Sequence, residues 1–142
     1  MKRGFTLLEF LIVVGIIALL TSLVLWPFAN FRDEKLLDGA AEDILTFLNE
    51  ARTRTLSSDG ATAYGVYFES AKMTLVPDNK EVVWPNRLTI SEIALTGGGA
   101  TLMFKRLTGA TAESGTVTVS LVSDNSRQRV IAVSAAGSIG LQ

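Results

Sequence analysis

The sequence predicts an α+β chain: one long N-terminal helix, apolar in its first half and amphipathic in its second, laid on antiparallel β-sheet. Three observations predict it. An uninterrupted apolar run occupies residues 10–20. Apolar residues then recur at three- and four-residue spacing over residues 37–55. From residue 61 on, short segments rich in Val, Ile, Thr and aromatics alternate with turn residues. The 142 residues suit one domain with an appendage, and 48% hydrophobic residues with a mean hydropathy of +0.35 is high for a small soluble domain. Much of that excess lies at the N-terminus.

Composition removes several classes of function. There is no cysteine, hence no disulfide framework and no thiolate metal site. There is no histidine, which removes the commonest general base, metal ligand and triad partner. Net charge is −1 and no basic run is longer than Lys2-Arg3, so bulk attraction to nucleic acid is not expected.

Phe10 to Leu20 carries no charge or strong polar group, and the apolar character continues through Thr21 and Ser22 to Phe28. That is enough for a helix to cross a bilayer, which takes roughly 20 residues. Lys2 and Arg3 precede it, so the C-terminal bulk is expected on the non-cytoplasmic side. A cleaved secretory signal would show a shorter apolar region and a small-residue site after it; Trp26-Pro27-Phe28 offers none. Glu9 is the anomaly. A carboxylate at the centre of a span costs about 2.5–3.5 kcal/mol, and less near one end. Periodicity leaves two readings open: a plain anchor with Glu9 at the headgroup level, or a specific use for the charge.

"RGFTLLE", Arg3 to Glu9, resembles the class III signal of type IV pilins and type II secretion pseudopilins: a short basic leader, Gly, Phe, then Thr-Leu-Leu/Ile-Glu and a long apolar helix. The resemblance covers the whole leader and span. It implies cleavage after Gly4 by a prepilin peptidase on the cytoplasmic face, N-methylation of Phe5, and retention of the span. It divides the chain into a leader at 1–4, a transmembrane helix at 5–28 and a globular domain at 29–142, helical to about residue 57 and then β. It also gives Glu9 a use, as the counter-charge to the N-terminal amine of a neighbouring subunit during filament assembly. Two charges in an apolar medium are each costly alone, and removing one leaves the other uncompensated. The implied partners are other pilin or pseudopilin subunits, the prepilin peptidase/methyltransferase, the inner-membrane assembly platform and membrane lipid. The implied location is the inner membrane, then the periplasm or cell surface once assembled. No cofactor is expected.

Trp26 is expected at the membrane interface, and Pro27 would kink a continuing helix. Leu37, Ala41, Ile44, Leu48, Ala51 and Thr55 then form a stripe meant for a domain face. Asp33, Glu34, Asp38, Glu42, Asp43 and Glu50 lie mainly off it, as a solvated face. Gly39 is a possible bend, and "SSDG" stops the helix with Gly60 as its terminator. A helix from Phe5 to Leu56 would be roughly 80 Å long. The segments "ATAYGVYFE", "KMTLVP", "EVVWP", "RLTISEIAL", "ATLMFKR", "GTVTVSLV" and "QRVIAVSAAGSIGL" read as strands, with turns at "ESAK" and "PDNK" and a hairpin loop at Ser123–Ser126.

The tail is similar to the GspH/FimT-type minor pilin domain. The residues that carry the likeness are the Ala51-Arg52 helix end, Phe104, Gly109, Gly115-Thr116, Val133-Ser134 and Gly137. In some members a basic C-terminal turn binds DNA. Here Ser138 stands where that family usually has Arg, so DNA is not an expected partner, and Arg127 and Arg129 read as surface residues. "TGGGAT", Thr96 to Thr101, reads as a hairpin loop because no Lys-Ser/Thr or helix follows it. Asp78-Asn79 and Asp124-Asn125 read as turn chemistry, lacking the oxygen ligands calcium needs. Glu69, Glu92 and Glu113 form no carboxylate pair, and Ser57 and Ser58 have no base. No catalytic or metal residue is assigned, and an enzyme is not expected. The reading is a structural filament subunit. The alternatives are a DNA-receptor minor pilin for natural transformation and a non-assembling, membrane-anchored binding domain.

Overall fold

The computed structural model describes residues 6–57 and 62–142, with the backbone but not the side chains of residues 24–29. Gly4, Phe5 and Gly60 lie outside the described residues, as do the side chains of Trp26, Pro27 and Phe28. One helix, α1, runs Leu7–Leu56, through Pro27 and Gly39. Eight strands follow: β1 (Gly65–Phe68), β2 (Lys72–Val76), β3 (Lys80–Val83), β4 (Leu88–Leu95), β5 (Thr101–Met103), β6 (Gly115–Leu121), β7 (Asp124–Val133) and β8 (Ile139–Leu141). The chain forms two compact units, Met1–Glu34 and Lys35–Gln142.

The first unit holds the apolar part of α1. Its described side chains from Leu7 to Leu23 are exposed. Among the described residues no helix is long and apolar enough to cross a membrane. The span expected at 5–28 extends past the described side chains at both ends.

The second unit holds the core. Every member of the expected stripe is buried: Leu37, Ala41, Ile44, Leu48, Ala51 and Thr55, joined by Ala40 and Phe47. Its apolar members form one cluster with Val66, Phe68, Met73 and Leu75 of one sheet and Val117, Val119, Leu121, Ile131 and Val133 of the other. Alanines at 40, 41 and 51 let backbone and sheet approach closely, and the larger residues fill the space between. Thr55 closes the helix end, its hydroxyl donating to the Ala51 carbonyl at 2.8 Å and accepting the Tyr64 N–H at 3.0 Å. A glycine costs a helix up to about 1 kcal/mol, yet Gly39 interrupts nothing: it is exposed, and α1 runs on through it between buried Leu37 and Ala40.

The antiparallel sheet expected against the helix is present as two four-stranded sheets, ordered β3-β2-β1-β5 and β4-β6-β7-β8. The split corrects the reading of Thr96–Thr101. Gly98, at φ 67°, turns the chain there, but β4 pairs with β6 while β5 pairs with β1. The segment therefore crosses between sheets and is not a hairpin loop. The sheets are stitched where the Ile90 N–H of β4 reaches the carbonyl of Ser70, in the β1–β2 turn, at 2.8 Å. The hairpin at Ser123–Ser126 is also tighter than expected. β7 already begins at Asp124, opposite Leu121, and surplus residues bulge before Gln128 meets Ser120. The Asp124 carboxylate accepts from the Ser126 N–H and hydroxyl at 3.0 and 2.6 Å, which holds that bulge. The final long segment divides into β7 and β8 around a turn at 134–138.

The acidic face of α1 is not simply solvated. Asp38 pairs with Arg129 of β7 at 2.9 Å, and Asp43 accepts the Trp84 indole N–H at 3.2 Å. Glu50 accepts from Lys80 at 2.9 Å and from Arg54 at 2.7 Å, and Arg54 reaches Asp78. These carboxylates tie the helix to both sheets. The Lys80 hydrogen bond is the largest influence on Glu50 and, with the nearby charge of Arg54, outweighs burial, so its carboxyl titrates below the ordinary glutamate value. A depressed carboxyl stabilises the fold above its unfolded pKa and loses that stabilisation as pH falls through its folded one. Glu50→Gln is therefore expected to lower stability by about 1 kcal/mol at neutral pH. The difference from wild type should shrink below the ordinary glutamate pKa and vanish once Glu50 is protonated in the fold. Thermal melts across an acid series check this.

Candidate assembly site

α1 begins with a built N-terminus. The Thr6 hydroxyl accepts the Glu9 backbone N–H at 3.2 Å, and the Thr6 carbonyl accepts the first helical hydrogen bond, from Phe10, at 3.2 Å. This is N-cap geometry, and Thr6 with Glu9 three positions on has capping-box spacing. The pattern Thr-x-x-Glu is visible in the sequence, but the processing signal that contains it hides its second meaning. Thr6 is thus a helix-capping residue that sequence reasoning misses. Glu9 lies in the first turn, where the helix dipole favours a carboxylate. Its side chain is exposed. Gly4 and Phe5 lie outside the described residues, so the amine that Glu9 is expected to meet is not part of this geometry.

Beyond Glu9 the helix presents large apolar side chains to its surroundings, from 80% exposed at Leu7 to 44% at Val13. Its few polar groups are satisfied internally. The Thr21 hydroxyl donates to the Ile17 carbonyl at 2.7 Å and the Ser22 hydroxyl to the Leu19 carbonyl at 2.8 Å. A hydroxyl spent on its own backbone can face lipid or an apolar neighbour without further cost.

At the other end of α1 the structure brings together Arg52, Gly109 and Gly137. The Arg52 Nε donates to the Gly109 carbonyl at 3.3 Å. Gly109 and Gly137 take φ of 62° and 79°, and a Cβ on Gly137 would overlap the Gly109 carbonyl oxygen. Both positions thus require glycine. The nearby Ser134 and Ser138 hydroxyls are 2.7 Å apart on the exposed turn. The arginines close to it in sequence are engaged: Arg129 with Asp38, and Arg127 with Asp124 at 3.5 Å. Glu113 accepts from the Met103 N–H and the Thr111 hydroxyl, at 3.3 and 3.1 Å. Among the described residues no group of three or more His, Cys, Asp or Glu could hold a metal ion.

Residues 1–25 match the family of the prokaryotic N-terminal methylation motif. Two crystal forms of the type IV minor pilin FimU of Pseudomonas aeruginosa share the architecture, each at 18% identity. One has a TM-score of 0.61 and covers 79% of this chain and 92% of that one. The other has a TM-score of 0.58 and covers 75% and 92%. The chain has the type IV pilin fold. The motif agrees with the resemblance carried by Arg3 to Glu9, and the fold with the helix-on-sheet pilin architecture expected of the chain. No curated protein matches the sequence.

In this pilin fold the Thr6 cap is open to test. Thr6→Ala should cost about 1 kcal/mol of helix-start stability, read as faster amide exchange at Leu8 and Glu9 in detergent micelles. Thr6→Ser should retain protection.

Proposed function

We propose that the chain is a structural subunit, a minor pilin or pseudopilin, of a type IV pilus or type II secretion pseudopilus. It is inserted in the inner membrane by its N-terminal helix, with the β domain outside the cytoplasm. A prepilin peptidase cleaves after Gly4 and methylates Phe5, and the assembly platform then draws the subunit into a helical filament. The observation that carries this reading is the start of α1: a capped helix whose side chains from Leu7 to Leu23 have no cover in their own unit, with one carboxylate in its first turn. An uncovered apolar helix needs lipid before assembly and neighbouring helices after it. Glu9 then serves as counter-charge to the methylated amine of a neighbour and fixes the register between otherwise apolar helices.

The DNA-receptor alternative gains no support from the ion pairs that occupy Arg127 and Arg129. The non-assembling anchor leaves Glu9 without a use beyond the helix start.

Glu9→Ala should insert and be cleaved as wild type does, because removing a charge lowers the transfer cost of the helix and Gly4 is untouched. Its incorporation into filaments should be lost or strongly reduced, since breaking a buried pair from one side costs about 3–5 kcal/mol. Glu9→Gln should be nearly as damaging. Cell fractionation and probing of sheared filaments measure this; entry of Glu9→Ala at the wild-type level would remove the charge-pairing role.

A further inference from the structure

Among the described residues, three of the four sheet edges carry a device against pairing with another chain. β3 bears exposed charges, Lys80 and Glu81. β4 is bulged between Ile90 and Glu92, and its Ile90 N–H is taken by the Ser70 carbonyl. β5 turns its Met103 N–H to the Glu113 carboxylate. Bulges, charges and covering groups are how native sheets blunt their edges. β8 ends the second sheet and carries none of these. Its residues, Ile139, Gly140 and Leu141, bear no charge, and Leu141 is 52% exposed.

The register fixes which groups this edge presents. The Gln142 N–H donates to the Val130 carbonyl and the Ser134 N–H to the Ser138 carbonyl, both at 2.9 Å. With Ala132 opposite Gly140 between them, the backbone groups of Ser138, Gly140 and Gln142 face β7. The N–H and C=O of Ile139 and Leu141 therefore point away from it, and no strand pairs with β8 on that side among the described residues. Ile139 and Leu141 stand opposite Val133 and Ile131, both buried, so their side chains share the core face. Gly140 lies on the other face. Its φ is not positive, and a Cβ there would meet nothing within 4 Å. Glycine weakens a strand and often marks the close approach of another backbone. Among the described residues nothing within the fold asks for it here.

We propose that β8 pairs with the β8 of a second copy of this chain, antiparallel and symmetric about Gly140. The edge itself selects a second copy, because it is complementary to its own two-fold image. Ile139 of each copy falls opposite Leu141 of the other, and each such pair exchanges both backbone hydrogen bonds. The same pairing lays Ile139 beside Leu141 on the core face and covers the exposed leucine. The Gly140 residues of the two copies meet at the close, non-hydrogen-bonded position, with Cα atoms about 4.5 Å apart. No like charges meet across the edge. The ladder is short, so the contact is weak at dilution and grows with the concentration of the chain. This pairing does not rest on the filament reading.

The test uses the full-length chain in detergent micelles, with no assembly machinery present. The chain has no cysteine, so Gly140→Cys supplies its sole thiol. Under mild oxidation this variant should form several-fold more disulfide-linked dimer than Leu141→Cys or Gln142→Cys. Only position 140 meets its own copy within disulfide reach. Adding Leu141→Pro to Gly140→Cys should cut the yield several-fold, because proline removes a free-edge donor and leaves the β7 ladder intact. The wild-type chain gives a second reading that needs no substitution. Its Ile139 and Leu141 amides should exchange several-fold faster on dilution with detergent, while the Gly140 amide, held by β7, changes little. Equal dimer yields at the three positions, no dimer, an unchanged yield with Leu141→Pro, or free-edge amides indifferent to dilution would each overturn the pairing. Failure here leaves the Glu9→Ala test of the filament subunit untouched, and failure of that test leaves this pairing standing.

Discussion

The fold depends on the apolar stripe of α1 between Leu37 and Thr55. Two four-stranded sheets have little in common except that both cover it. Sheet β3-β2-β1-β5 supplies Val66, Phe68, Met73 and Leu75, and sheet β4-β6-β7-β8 supplies Val117, Val119, Leu121, Ile131 and Val133. Without the helix neither sheet has its full apolar complement, and a sheet of four short strands with one uncovered face is marginal in water. The carboxylates beside the stripe fix the helix at its edges, Asp38 on β7 of one sheet and Glu50 on β3 of the other. Register of helix on sheets is thereby set by charge as well as by packing.

The same helix carries two incompatible surfaces. From Lys35 onward its apolar face is covered by its own domain. From Leu7 to Leu23 the apolar side chains have no cover within their unit. A single helix can hold both because helical hydrogen bonds satisfy its backbone regardless of surroundings. The start needs the most help, since the first amides have no helical acceptor. Thr6 supplies one acceptor, and Glu9 brings a negative charge to the end of the helix where it is favoured. In the proposed filament the same carboxylate faces a second task, the amine of a neighbour.

Much of this is legible from the residues. The stripe at 37–55 can be read position by position, because a 3.6-residue period in side-chain polarity follows directly from helix geometry. The strands are legible for the same reason, through alternation in segments such as Thr116 to Leu121. Which strands pair is not legible. β4 and β5 are separated by a glycine-rich turn that suits a hairpin, yet their partners are β6 and β1; pairing is decided by the core, not by the loop. Asp38, Asp43 and Glu50 look solvated in sequence because their partners, Arg129, Trp84 and Lys80, lie far along the chain. Nor is the open edge of β8 legible, since which strand ends a sheet follows from the pairing.

At the N-terminus the residues themselves carry the assignment, and the family match to residues 1–25 agrees with them. The account turns on that segment being a processed, retained helix start and not a removable signal. The most direct measurement is the intact mass of the mature protein from a host that carries the processing machinery, with sequencing of its first peptide. The account predicts a chain beginning at Phe5 with one methyl group on its amine. A chain that keeps Met1, or one cleaved beyond the apolar helix, would contradict it.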